Sequence, residues 1–187
     1  MKKIAIFASG SGSNFQAIVD SNLPVEISLL VCDNPQAKVI KRAKERRIAV
    51  HVFDPKSFAA KAEFEREILG YLRHLSIDFI ILAGYMRLIG PTLLSVYSGK
   101  IINIHPSLLP SFPGIDAIGQ ALAHGVKVTG ATVHFVDEGM DTGTIITQET
   151  VAISEQETKQ TLQQKIQAVE HQLYVATIQQ LLRKEWQ

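Results

Sequence analysis

The sequence predicts a doubly wound α/β fold with a mostly parallel sheet, a β-rich C-terminal extension and a long final helix. Three observations carry this. Strand-like and helix-like segments alternate through the first two-thirds of the chain. The apolar runs at 79–83 and 101–105 are nearly continuous, as in parallel strands covered on both faces. Near the end, Leu162, Ile166, Val169, Leu173 and Ala176 recur at steps of four and three, the period of an amphipathic helix.

The elements follow in order. Residues 4–8 form an apolar strand that stops at Ser9-Gly10-Ser11-Gly12-Ser13. A helix starts near Asn14, with Phe15, Ile18 and Val19 on one face. Residues 25–32 read as a second strand, 38–47 as a helix with a basic face, and 50–53 as a short strand. Phe64, Ile68, Leu69 and Leu72 mark the apolar side of the next helix. A short helix at 91–97 separates the strands at 79–83 and 101–105. Residues 129–135 and 144–153 are β-rich and close in sequence, which suits an antiparallel pair. No linker, repeat or low-complexity segment interrupts the 187 residues, so one domain is the economical expectation.

Bulk composition narrows the function classes. Hydrophobic residues make up 46% of the chain, enough for a real core. Lys plus Arg number 19 against 18 Asp plus Glu, which gives no electrostatic case for nucleic acid or a membrane as partner. Cys32 is the only cysteine, so an intrachain disulfide and a paired-thiolate zinc site are excluded, and a reducing, cytoplasmic location fits. The apolar run after Lys2-Lys3 is shorter than the roughly 7–15 residues of a signal peptide's apolar region. No stretch approaches the roughly 20 apolar residues that span a bilayer.

Two segments carry chemistry. The loop from Ser9 to Asn14 sits between strand and helix, where glycine lets the backbone approach a ligand and free amides attract an anion. A dinucleotide fingerprint fails because its third glycine would fall on Phe15, and a Walker lysine is missing. A phosphate monoester is the favoured ligand, with a plain flexible turn left open by this motif alone.

The second segment runs Asn103-Ile104-His105-Pro106-Ser107-Leu108-Leu109-Pro110. Alternation along a strand puts Asn103 and His105 on one face, at the carboxyl end where open α/β sheets bind ligands. An amide donor beside an imidazole can stabilise an oxyanion and supply a proton. The competing reading is a pair of satisfied buried polar groups; no second histidine has useful local ligand spacing for a metal.

The acidic loop Asp137-Glu138-Gly139-Met140-Asp141-Thr142-Gly143 reads by default as a solvated turn. Its Asp-Thr-Gly triplet matches aspartic proteases, but the α/β surroundings do not. Asp141 folding back toward His105 is the third reading, since a carboxylate there supports an imidazolium. His134 is expected to be a hydrogen-bonded structural or supporting histidine. The basic residues Lys38, Lys41, Arg42 and Lys44 are expected to be solvated surface, and His51, His74, His124 and His171 carry no functional expectation.

Taken together, these segments resemble the phosphoribosylglycinamide formyltransferases of the folate-dependent formyltransferase superfamily. The resemblance spans nearly the whole chain. It rests on Gly10-Ser11-Gly12-Ser13-Asn14, Leu82-Ala83-Gly84-Tyr85-Met86-Arg87, the 103–110 segment, Gly130-Ala131-Thr132-Val133-His134-Phe135, Asp141 and Glu170-His171. It implies a Rossmann-like formyltransferase fold over 1–187, with 1–100 as the phosphate-substrate half and 101–187 as the catalytic and folate half. It implies formyl transfer from 10-formyltetrahydrofolate to glycinamide ribonucleotide in purine biosynthesis, without a metal, by a monomer or homodimer.

The same resemblance assigns residues. Asn103, His105 and Asp141 would be catalytic. Gly12, Ser13 and Asn14 would hold the substrate phosphate, with Gln167 and Glu170 meeting the ribonucleotide from the last helix. Met86, Arg87, Leu88 and Ile89 would line the folate pocket, joined by Asn103 and by the loop Asp137, Glu138, Gly139, Met140 and Asp141. Lys61 stands where some members place a folate-side arginine; lysine keeps the charge and loses the planar fork.

The alternatives are a formyltetrahydrofolate hydrolase, a methionyl-tRNA formyltransferase and a non-catalytic phosphometabolite-binding module. The hydrolase is expected to carry an added leading domain, and the tRNA enzyme a further C-terminal one. The binding module would leave Asn103, His105 and Asp141 as coincidence.

Overall fold

A computed structural model describes residues 1–183; residues 184–187 of the expected 1–187 unit lie outside them. Seven strands form one sheet in the order β3-β2-β1-β4-β5-β6-β7. The strands are β1 (Lys2–Phe7), β2 (Val25–Cys32), β3 (Ala49–Val52), β4 (Phe79–Leu82), β5 (Ile101–His105), β6 (Val128–Phe135) and β7 (Ile145–Ala152). The helices are α1 (Ser13–Asp20), α2 (Lys38–Glu45), α3 (Lys61–His74), α4 (Pro91–Tyr97), α5 (Ala117–Ala123) and α6 (Lys159–Arg183), with a 3-10 turn at Pro55–Ser57.

The first five strands pair in parallel, and β6 and β7 then join antiparallel. The expected β-rich extension is therefore part of the main sheet. The sequence pattern missed α5 and the 3-10 turn, which are single short segments with no sustained apolar period.

Alternation along β1 explains the layers. Ile4, Ile6 and Ala8 enter a core cluster with Phe15, Ile18, Val39 and Ala43 of α1 and α2, and Tyr174 and Ile178 of α6. Ala5 and Phe7 enter the other cluster, with Phe64, Ile68 and Leu72 of α3 and Leu93 and Tyr97 of α4. Both faces are covered, which is why β1 and β4 read as unbroken apolar runs.

The buried stripe of α6 runs through Leu162, Ile166, Glu170, Tyr174 and Ile178, a step of four that passes through a carboxylate. Tyr174 is fully buried, and its hydroxyl lies 2.8 Å from the Leu82 carbonyl and 3.1 Å from that of Ile102. That contact seats α6 on the end of β4 and the adjoining backbone near the start of β5. Glu170, one turn earlier, is thereby carried into the cleft beyond the strand ends.

Candidate active site

A cleft of about 540 Å³ opens at the carboxyl ends of β1, β4 and β5 and is lined by all of the expected site residues except Lys61 and Glu138. Lys61 begins α3, and its ammonium lies 3.9 Å from Glu65 Oε1. Glu138 is exposed at the tip of its loop.

The glycine-rich turn is held from outside. Gly12 has φ 75°, and a Cβ there would lie 2.5 Å from Val39 Cγ2, so the left-handed turn and the close approach of α2 both require glycine. Val39 N–H donates to the Gly10 carbonyl at 3.1 Å, and Arg42 Nε donates to that of Ser11 at 2.9 Å. Arg42 also reaches Gln16 Oε1 at 3.1 Å, so it braces the loop as well as facing solvent. With the carbonyls of residues 10 and 11 held on α2 and no side chain capping α1, the amides that start α1 are available to an anion.

Asn14 and Glu170 come from opposite ends of the chain and meet here. Asn14 Nδ2 donates to Glu170 Oε2 at 3.3 Å, while Asn14 Oδ1 is buried without a hydrogen-bond partner among the described residues. Burial pushes the Glu170 carboxyl up to about 7, partly offset by the Asn14 amide.

The side-chain cluster around Asn103 and His105 depends on the antiparallel register of β5 and β6, which sets Asn103 opposite His134 and His105 opposite Thr132. His134 Nδ1 lies 2.8 Å from its neighbour's carbonyl at Phe135, so that nitrogen carries the proton of the neutral ring. Nε2 is then an acceptor, 3.3 Å from Asn103 Nδ2. Burial pushes the His134 imidazole down, which keeps the ring neutral and suited to this task. One Asn103 amide hydrogen is thus anchored.

His105 Nε2 lies 2.8 Å from the Phe112 carbonyl, and Nδ1 lies 3.4 Å from Asp141 Oδ2. Oxygen acceptors stand at both ring nitrogens, an arrangement that an imidazolium can satisfy as a double donor. Asp141 itself has φ 56° and accepts from Gly114 N–H at 2.8 Å. Its side chain is only 12% exposed, so its charge acts on the ring with little screening.

The loop bearing Asp141 is braced by Asp137 Oδ1, which accepts from Gly139 N at 3.0 Å and Thr142 Oγ1 at 2.7 Å. The segment after His105 is held by Thr132, whose hydroxyl donates to the Ser107 carbonyl at 2.7 Å and accepts from Leu109 N at 3.0 Å. Gln148 Nε2 adds a bond to the Leu109 carbonyl at 2.9 Å.

The opposing wall carries Met86, Arg87, Leu88 and Ile89 between β4 and α4. Met86 N–H donates to Ser9 Oγ at 2.9 Å, tying this wall to the glycine-rich loop, and Arg87 Nε donates to Asp33 Oδ2, just after β2, at 2.7 Å. Residue-by-residue reading missed Gln163, Lys159 and Ile115 in the lining. Gln163 had a signal, since it lies four residues before Gln167 and so shares its helix face. Ile115 had none. Among the described residues no group of three or more His, Cys, Asp or Glu is arranged to hold a metal ion, and no helix is long and apolar enough to cross a membrane.

The formyl transferase family profile matches residues 2–178. A phosphoribosylglycinamide formyltransferase of Bacillus subtilis (strain 168) is 58% identical over 186 residues, covering 97% of this chain and 95% of that protein. The crystal structure of phosphoribosylglycinamide formyltransferase from Bacillus halodurans superposes with a TM-score of 0.96 at 56% identity, covering 98% of this chain and 97% of that one. Glycinamide ribonucleotide transformylase 1 from Geobacillus kaustophilus gives 0.95 at 59% identity, covering 97% of this chain and 99% of that one. The chain belongs to the formyl transferase family, and within it to the phosphoribosylglycinamide formyltransferases.

Proposed function

We propose that this cleft transfers the formyl group of 10-formyltetrahydrofolate directly to the amine of glycinamide ribonucleotide, giving formylglycinamide ribonucleotide and tetrahydrofolate in purine biosynthesis. The observation that carries the reading is the convergence of Asn103, His105 and Asp141 on a cleft that also holds the Gly12–Asn14 turn. The reaction belongs in the cytoplasm, and the chain acts as one unit.

The amides of Ser13 and Asn14 hold the substrate phosphate, with Gln167 and Glu170 on the ribose side. Met86 to Ile89, with the 137–141 loop, hold the folate. The neutral amine attacks the formyl carbon, forming a carbon–nitrogen bond and a tetrahedral oxyanion. Asn103 donates its free amide hydrogen to that oxygen. His105, as the imidazolium beside Asp141, stabilises the same charge.

Collapse re-forms the carbonyl and breaks the bond to folate N10. That nitrogen takes a proton as the attacking amine loses one. His105 Nε2 is held by the Phe112 carbonyl at 2.8 Å, so the more loosely engaged Nδ1, 3.4 Å from Asp141, is the nitrogen that passes a proton to N10. No covalent enzyme intermediate is needed.

The test mixes the protein with both substrates and follows formylated ribonucleotide and tetrahydrofolate, beside a reaction lacking the ribonucleotide. Product that requires both substrates is expected. Formate released without the acceptor would replace the transferase by a hydrolase.

A further inference from the structure

Glu65 lies on α3 at 2% exposure, among the apolar side chains that pack α3 and α4 on the sheet. An ionisable group in such a place must be answered by donors. Its Oε1 accepts from Gly90 N–H at 2.6 Å. Gly90 is the N-cap of α4 and supplies no side chain of its own, so Glu65 anchors the start of that helix from outside it. A Cβ on Gly90 would lie 2.6 Å from Glu65 Oε2, so the approach is close on both sides. Burial pushes the carboxyl up, while the Gly90 amide and the Lys61 ammonium draw it down.

The segment that ends at this clamp is the cleft wall. Met86 is 78% exposed and Leu88 48%, and no regular structure holds them. Ser9 and Asp33 fix the beginning of the wall, and Glu65 fixes its end. We propose that Glu65 is a positioning residue for the folate. By capping α4 it sets the path of Met86 to Ile89, and Lys61 serves as its charge partner. The inference rests on the reading of that segment as the folate wall.

Steady-state kinetics on Glu65→Gln, Glu65→Ala and Gly90→Ala test it, with thermal unfolding measured in parallel. Gly90→Ala leaves the carboxylate in place but presses a methyl against it, and so disturbs the same contact from the other side. The expected result is a KM for 10-formyltetrahydrofolate raised about tenfold, with the KM for the ribonucleotide and the single-turnover rate within about twofold. Glu65→Gln, which keeps one acceptor oxygen, should fall between wild type and Glu65→Ala. Lower melting temperatures with an unchanged folate KM would overturn the inference and make Glu65 a stability residue only. Leu88→Asp, which alters the wall itself, is the control. If it too leaves the folate KM unchanged, the wall has been misread, and the inference falls with it.

Discussion

At residues 10–14 the cleft presents backbone, whereas at β5, β6 and the 137–143 loop it presents side chains. The first region is built within one strand–turn–helix unit and braced by Val39 and Arg42 of α2. The second draws Asn103, His105, His134 and Asp141 from separate segments through strand register and a folded-back loop. Amides at a helix start suit a fixed anion that does not change during reaction. Charge that appears only in the transition state is better met by directed side chains in a dry setting. Substitutions should therefore separate the regions, with binding lost at the turn and rate lost at the cluster.

The largest effect is expected at the cluster. Asn103→Ala and His105→Ala should each lower the single-turnover rate about a hundredfold to a thousandfold, with little change in substrate affinity. Near-normal turnover in both would remove the catalytic assignment. Asp141→Asn keeps the shape and removes the charge at 3.4 Å from His105 Nδ1, so a loss of about tenfold to a hundredfold in rate is expected. If the rate holds and only stability drops, Asp141 merely braces the loop.

At the turn, Gly12→Ala forces a side chain into a left-handed site against Val39, with roughly 1–3 kcal/mol of strain. Its KM for the ribonucleotide should rise about tenfold while the folate KM holds. An equal rise in both would erase the distinction between the regions.

Glu170 gives a pH test. Its carboxyl rises from 4.5 to about 7 on burial, so between those values the unfolded chain has released a proton that the folded chain still holds. Stability should then fall as pH rises through that window, by on the order of 3 kcal/mol. Urea unfolding of Glu170→Gln should show a flatter dependence; an identical slope would reject the assignment. The smallest effect is reserved for Cys32→Ala. The thiol is fully buried, outside the cleft lining, and donates to the Asn34 carbonyl at 3.3 Å. Activity should be unchanged and stability lower by about 1 kcal/mol, as calorimetry would register.

Much of this was legible before any coordinates. The glycine turn could be placed between strand and helix because its glycines, strand and helix are contiguous. Asn103 and His105 could be paired because two-residue alternation is local. Asp141 could be placed near His105 only as one of three readings, since a loop's return path is not periodic. The support roles of Phe112 and Gly114 left no signal, because a backbone carbonyl or amide looks the same in every residue, and those of Thr132 and Gln148 left none because their partners lie far away in the sequence. Lys61 was placed by position in a family pattern, and here α3 sets its ammonium beside Glu65, outside the cleft lining.

By itself the sequence determined the alternating α/β order, the covered parallel strands, the glycine turn and the Asn–His pair, because each follows from spacing within one segment. Tertiary structure alone decided that β6 joins β5 antiparallel, that Asp141 and His134 meet that pair, that Glu170 reaches Asn14, and that Glu65 caps α4. Those contacts join residues far apart in the chain, and only the packing of elements on a common sheet specifies which distant groups become neighbours.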